Sequence, residues 1–163
     1  MLQHVEHGFE PVYDKESRIL ILGSFPSVKS REQAFYYGHP QNRFWKVLAA
    51  LTDTEVPQTI EEKKGWLHLH HVAVYDVIEA CDIEGSSDSS IRNVTPADIH
   101  TIIEESNISH IFTNGKLAGK LYRRYQAKTC DLPMTELPST SPANAAYSLD
   151  KLIAAWQDIK VYL

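Results

Sequence analysis

Short runs of apolar residues alternate along this chain with segments in which apolar residues recur every three or four positions. Arg18-Ile19-Leu20-Ile21-Leu22-Gly23 is a continuous apolar run stopped by glycine, the pattern of a strand buried on both faces of a parallel sheet. Val72–Val77 and Ile108–Thr113 repeat that pattern, and Met134–Leu137 supplies a shorter fourth strand. Between them the period changes. Phe44, Val47, Leu48 and Leu51 share one face of a helix over 43–51, for which Asn42 is a suitable cap. Thr59 to about Leu69 forms a second helix, and Thr95-Pro96-Ala97-Asp98 reads as the start of a third that carries Ile99, Ile102 and Ile103 inward. Asn114-Gly115 turns the chain into a helix from Lys116 to about Gln126, and Ser148 caps a last one running through Trp156. Residues 1–17 read as a polar lead-in, and 82–93 as a small polar loop.

Strands alternating with helices predict an α/β fold, a three-layer αβα sandwich around a central, mostly parallel four-stranded sheet. Right-handed crossovers then bring three regions to the carboxyl ends of the strands: residues 23–45, the region after Asp76, and 138–144. A single pocket is the consequence.

Composition narrows the function classes. At 163 residues the chain is expected to be one domain, 1–163, and its 43% hydrophobic content contains no run that would cross a bilayer. No basic segment followed by an apolar one opens the sequence, so a cytoplasmic, monomeric protein without membrane association is expected. Cys81 and Cys130 are too few for an iron–sulfur cluster or an all-cysteine zinc site, and His68, His70 and His71 have no metal-site spacing. The expectation is no metal and no cofactor. A net charge of −5 argues against a broad basic field but leaves room for a local patch, and Lys116, Lys120, Arg123 and Arg124 supply one. The first turn of their helix, with Lys116, is a candidate phosphate contact.

The densest chemistry lies in Tyr36-Tyr37-Gly38-His39-Pro40-Gln41-Asn42-Arg43-Phe44-Trp45. A loop that only joins two elements needs turn chemistry; this one adds flat apolar faces and multivalent hydrogen-bonding groups, as a planar polar ligand requires. Gly23-Ser24-Phe25-Pro26-Ser27 turns the chain after the first strand, and Pro138-Ser139-Thr140-Ser141-Pro142-Ala143-Asn144 is a rigid, hydroxyl-rich loop after the fourth. Asp76, ending the second strand in an apolar context, is either buried among donors or poised for a ligand.

These three loops, in this order, resemble the motifs of the uracil-DNA glycosylase superfamily. Gly23-Ser24-Phe25-Pro26-Ser27 is similar to its first motif, Gly38–Lys46 to the His-Pro-x-Asn-x-Phe-Trp segment of its mismatch-uracil and hypoxanthine branches, and Ser139–Asn144 stands at its second motif. Phe25 occupies the place of the usual water-positioning Asp or Asn, and Ser139 that of the usual base-stabilising His or Asn. This combination resembles the hypoxanthine-DNA (deoxyinosine) glycosylase branch, in which the key amide is the Asn that matches Asn42.

The resemblance implies hydrolysis of the N-glycosidic bond of a deaminated base in DNA, with hypoxanthine first and uracil or a non-catalytic damaged-base sensor as alternatives. Such a site must hold a flipped base, read its edge and stabilise an oxocarbenium-like transition state. On this reading Asn42 is catalytic, orienting water or donating to developing charge. Phe25 and one of Tyr36 or Tyr37 sandwich the ring, Asp76 accepts a ring N–H, and His39 donates to the base. Ser24, Ser139, Thr140, Ser141 and Lys116 contact phosphates, and Asn144 reaches the duplex.

Overall fold

The computed structural model describes residues 1–163. Four strands form the main sheet: β2 (Ile19–Gly23), β3 (Val72–Asp76), β6 (His110–Asn114) and β7 (Met134–Leu137), with β1 (Gln3–Glu6), β4 (Ile78–Ile83) and β5 (Arg92–Pro96) belonging to a second sheet. All neighbours in the order β3-β2-β6-β7 are parallel. Successive side chains of a strand point to opposite faces, and every residue of β2 and β3 is buried, so both faces of the sheet are covered. That is why these strands read as unbroken apolar runs.

The covering helices are α1 (Val28–Gln33), α2 (Phe44–Thr52), α3 (Ile60–Leu69), α4 (His100–Glu104), α5 (Lys116–Tyr125) and α6 (Leu149–Ala155). Their starts follow local chemistry. Ser27 and Ser148 each accept a hydrogen bond from the backbone N–H three residues on, and Thr59 and Glu62 make a reciprocal capping box. The core they close includes Leu20, Leu22, Phe44, Leu48, Phe112 and Trp156, all essentially without solvent contact. Truncating one of these aliphatic residues to Ala costs about 2–5 kcal/mol.

A second, three-stranded antiparallel sheet was not anticipated. It has the order β1-β4-β5, from β1 (Gln3–Glu6), β4 (Ile78–Ile83) and β5 (Arg92–Pro96). The polar lead-in therefore supplies a strand, and the region after Asp76, expected to be a loop, passes through Val77 into β4 while still bonded to the first loop through Val77 N–H to Gly23 O and Ile78 N–H to Ser24 O. Thr95 and Pro96 are strand residues and do not start a helix. Asp98 does that work, its carboxylate accepting from His100 N–H and Thr101 Oγ1–H.

Register places the site. Gly23 lies beside Asp76, and Asn114 beside Leu137, so the carboxyl ends of the four parallel strands form one edge. The loops after β2 and β7 gather there as expected, while the region after Asp76 stays at the edge only through Val77 before becoming β4.

Candidate active site

A cavity of about 590 Å³ opens on this edge and is bordered by the loop after β2, the segment leading into α2, the N-terminus of α5 and the loop after β7. Phe25, Asn42, Asp76 and Ser139 all border it, together with Ser24, Tyr36, Tyr37, His39, Lys116, Thr140, Ser141 and Asn144. The sequence-predicted residues thus lie around one space. Their availability to a ligand differs.

Asn42 is held at its oxygen end. Phe44 N–H donates to Asn42 Oδ1 at 3.0 Å, and Thr140 Oγ1 lies 2.8 Å from the same oxygen. A backbone N–H can only donate, so the atom facing Phe44 is the carbonyl oxygen. The same logic fixes Asn114: Thr140 N–H donates to its Oδ1 at 3.0 Å, leaving its Nδ2 to donate to Thr140 Oγ1 at 3.0 Å. With that hydroxyl already accepting from Asn114, its own proton goes to Asn42. The chain Asn114–Thr140–Asn42 therefore runs in one direction and leaves Asn42 Nδ2 as the amide's uncommitted group. Arg43, and not Asn42 as expected, holds the cap position of α2, without a side-chain bond; Asn42 makes a cap-like bond one residue earlier and also borders the cavity.

Thr140 is fully buried and spent on this relay, which removes it from the phosphate contacts expected of it. Ser139 Oγ accepts from Ser141 N–H, and Ser141 Oγ from Ala143 N–H, so both hydroxyls shape the loop while retaining partial exposure. Asn144 donates from Nδ2 to Ser139 O instead of reaching outward. Arg43, which the sequence offered only as part of a motif, clamps this loop: its guanidinium donates to the carbonyls of Ser141 at 2.8 Å, Asn144 at 3.2 Å and Tyr147. Lys116 and Ser24 remain exposed and half-buried.

The aromatic residues also divide. Phe25 is buried at the cavity wall, with the Arg31 guanidinium over its ring. Tyr36 is not a free stacking face: its hydroxyl donates to Glu10 O, and its ring packs among His7, Phe9 and Phe35. Tyr37, at φ 52°, stacks one face on Phe44 with centroids 3.8 Å apart. Its buried hydroxyl makes no hydrogen bond. Burial, and then the nearby Asp76 carboxylate, raise the Tyr37 pKa. His39 Nδ1 accepts from Gln41 N–H, which puts the ring proton on Nε2 and makes that edge a donor.

Asp76 is buried with one donor beside it and borders the cavity. It is 4% exposed, and its Oδ2 lies 2.7 Å from Nε2 of His7, itself 2% exposed. The other oxygen, Oδ1, lies beside Gly23, where a Cβ would fall 2.5 Å from it and 3.2 Å from the Tyr37 hydroxyl. Only glycine permits that approach. His7 and Asn114 are the residues that sequence reasoning missed. His7 sits in what read as a lead-in, and Asn114 read as a turn residue, although an Asn at the carboxyl end of a buried strand carried the same signal as Asp76.

The likenesses to known proteins agree with this geometry. The family model for the uracil DNA glycosylase superfamily matches residues 10–160. A protein of Methanosarcina acetivorans named hypoxanthine DNA glycosylase is 32% identical over 149 residues, covering 90% of this chain and 93% of the relative. One of the same name from Methanosarcina barkeri is 30% identical over 117 residues, 71% and 74% of the two chains. A solution NMR structure of a Methanosarcina acetivorans protein, provisionally described as a uracil DNA glycosylase, superposes with a TM-score of 0.80 at 29% identity over 97% of this chain and 99% of that one. With three loops meeting at one sheet edge and the family pattern running over nearly its whole length, the chain belongs to the uracil DNA glycosylase superfamily.

Proposed function

We propose that this DNA glycosylase removes hypoxanthine from DNA by hydrolysis, leaving an abasic site. The reading rests on Asn42, whose Nδ2 is the uncommitted donor of a relay fixed by two backbone N–H groups. As the C1′–N9 bond breaks, its electron pair goes to the base, water oxygen bonds to C1′, and the water's proton is released. An N–H aimed at a base nitrogen or oxygen strengthens as negative charge builds there, which lowers the barrier. Since Oδ1 already takes two hydrogen bonds, Asn42 acts by donation, and a water near it is held through its oxygen. The cavity volume suits a flipped purine, with Phe25 as an apolar wall, Asp76 Oδ1 as acceptor for the ring N1–H, and the His39 Nε2–H as a donor. Two relatives named hypoxanthine DNA glycosylase support the choice of base.

The test is single-turnover cleavage of matched duplexes carrying inosine, uracil, xanthine or no lesion, scored after alkali. Preferential cleavage at inosine is expected, and Asn42→Ala is expected to lower the chemical rate by about 10²–10³-fold with circular dichroism unchanged. Preference for uracil overturns the base assignment. Binding without cleavage at any lesion overturns catalysis and leaves a damaged-base sensor.

A further inference from the structure

We propose that His7 is a specificity-positioning residue: it holds Asp76 as an acceptor-only carboxylate, so that the cavity takes a purine with a ring N1–H and refuses adenine, whose N1 is a lone pair. This deepens the reading above and rests on the cavity receiving a flipped base.

The imidazole of His7 is walled by aromatic rings, with centroids of Phe9 at 4.4 Å, Tyr75 at 4.7 Å, Tyr36 at 5.8 Å and Phe25 at 6.2 Å. Its backbone is pinned by His7 N–H to Glu79 O at 2.7 Å. Within this cage the ring has one polar neighbour, Asp76 Oδ2, and Nδ1 is buried with no partner. An orphaned ring nitrogen is cheaper as a bare lone pair than as an N–H, so the ring proton belongs on Nε2, pointing at the carboxylate.

One lone-pair set of Asp76 is thereby satisfied from behind. Oδ1 takes no hydrogen bond from the protein and lies on the cavity floor beside Gly23. A buried acceptor left open is a selective device, because it rewards a ligand that brings an N–H and penalises one that brings another lone pair. Deamination of adenine makes that exchange, turning N1 from acceptor to donor. The position of the pair matters as much as its identity. By bonding Oδ2, His7 fixes the rotation of the carboxylate and keeps Oδ1 at the cavity beside Gly23; without that anchor the group can turn and the open acceptor loses its place.

The experiment compares wild type, His7→Phe, His7→Gln and Asp76→Asn on duplexes with inosine or adenine at one position. Single-turnover cleavage is measured alongside binding of the same duplexes made uncleavable by 2′-fluoro-arabino substitution, which disfavours the oxocarbenium-like state. Gln can place an amide N–H near the Nε2 position, and His7→Gln is expected to keep the wild-type inosine-to-adenine preference within about threefold. His7→Phe is expected to reduce that preference at least tenfold, mainly through weaker half-saturation on inosine, with the chemical rate less affected. Should His7→Phe fail to fold, Asp76→Asn carries the test at constant volume, since an amide offers both donor and acceptor and is expected to erode the preference as strongly. Unchanged preference in a folded His7→Phe or Asp76→Asn, or equal loss in His7→Phe and His7→Gln, overturns the proposal. A wild type that binds inosine selectively without cleaving it overturns the glycosylase reading alone, because the binding ratio still reports on His7.

Discussion

Thr140 shows how a single hydroxyl decides the chemistry of a neighbouring amide. It accepts from Asn114 Nδ2 and donates to Asn42 Oδ1, while its backbone N–H satisfies Asn114 Oδ1. Thr140→Val keeps the shape and removes the hydroxyl, stranding the Asn114 N–H in a buried site and leaving Asn42 with Phe44 N–H as its sole anchor. The expected result is a loss of about 1–3 kcal/mol of stability from the orphaned donor. The chemical rate on inosine should fall about tenfold, as for loss of one orienting hydrogen bond near a transition state, with little change in half-saturation. Thr140→Ser restores the hydroxyl and is expected to recover the rate to within a few-fold. Thermal unfolding and single-turnover kinetics measure the two effects separately, and a wild-type rate in Thr140→Val would show that Asn42 needs no such support.

At the scale of elements, the clamp between the start of α2 and the loop after β7 holds that relay in place. Arg43 spans it with a planar fork that reaches four carbonyls, those of Thr140, Ser141, Asn144 and Tyr147, and its own backbone N–H bonds to Thr140 O at 3.1 Å. Lysine keeps the charge but not the fork. In Arg43→Lys, amide hydrogen exchange over residues 139–147 is expected to accelerate while the main sheet stays protected, and inosine cleavage falls with it; unchanged exchange in that loop would show that the clamp is dispensable. What could be read from the sequence divides at this same scale. The strands of the main sheet were legible because both faces are covered, so Ile19–Leu22 and Val72–Val74 carry an unbroken apolar signal. The second sheet was not, since three of the four residues of β1 are exposed and β5 has four exposed residues of five, leaving no alternation to detect. Pro96, tolerated on an edge strand, instead mimicked the first turn of a helix. That blind spot hid His7, which reaches Asp76 only because β1 pairs with β4, directly after the strand that ends in Asp76. The candidate site was legible where its residues belong to motifs, and illegible where a long-range pairing delivers them.

The molecule as a whole carries a net charge of −5 and yet acts on DNA, so its affinity must come from a few well-placed cations. Several basic side chains are already engaged: Arg43 is spent on carbonyls, Arg31 donates to Gly85 O, and Arg123 pairs with Glu136 at 3.1 Å. Lys116 is the exposed cation on the cavity border, and Lys120, also exposed, lies one turn further along the same face of α5. Asp88, exposed on the same border, opposes them. Because each neutralised phosphate releases condensed counterions, the logarithm of affinity falls with the logarithm of salt concentration at a slope of about −0.9 per contact in duplex DNA. With only Lys116 at the border and Lys120 beside it as candidate contacts, the expected slope for an uncleavable inosine duplex is about −2, far shallower than for a protein that coats the helix. Replacing Lys116 and Lys120 together by Ala is expected to flatten that slope by about 1 to 2 and to weaken inosine and undamaged duplexes alike, since phosphate contacts carry no sequence information. Titrations of both duplexes across a salt series measure slope and selectivity at once. An unaltered slope would move the DNA path away from α5, whereas a loss confined to the inosine duplex would make Lys116 or Lys120 part of base recognition.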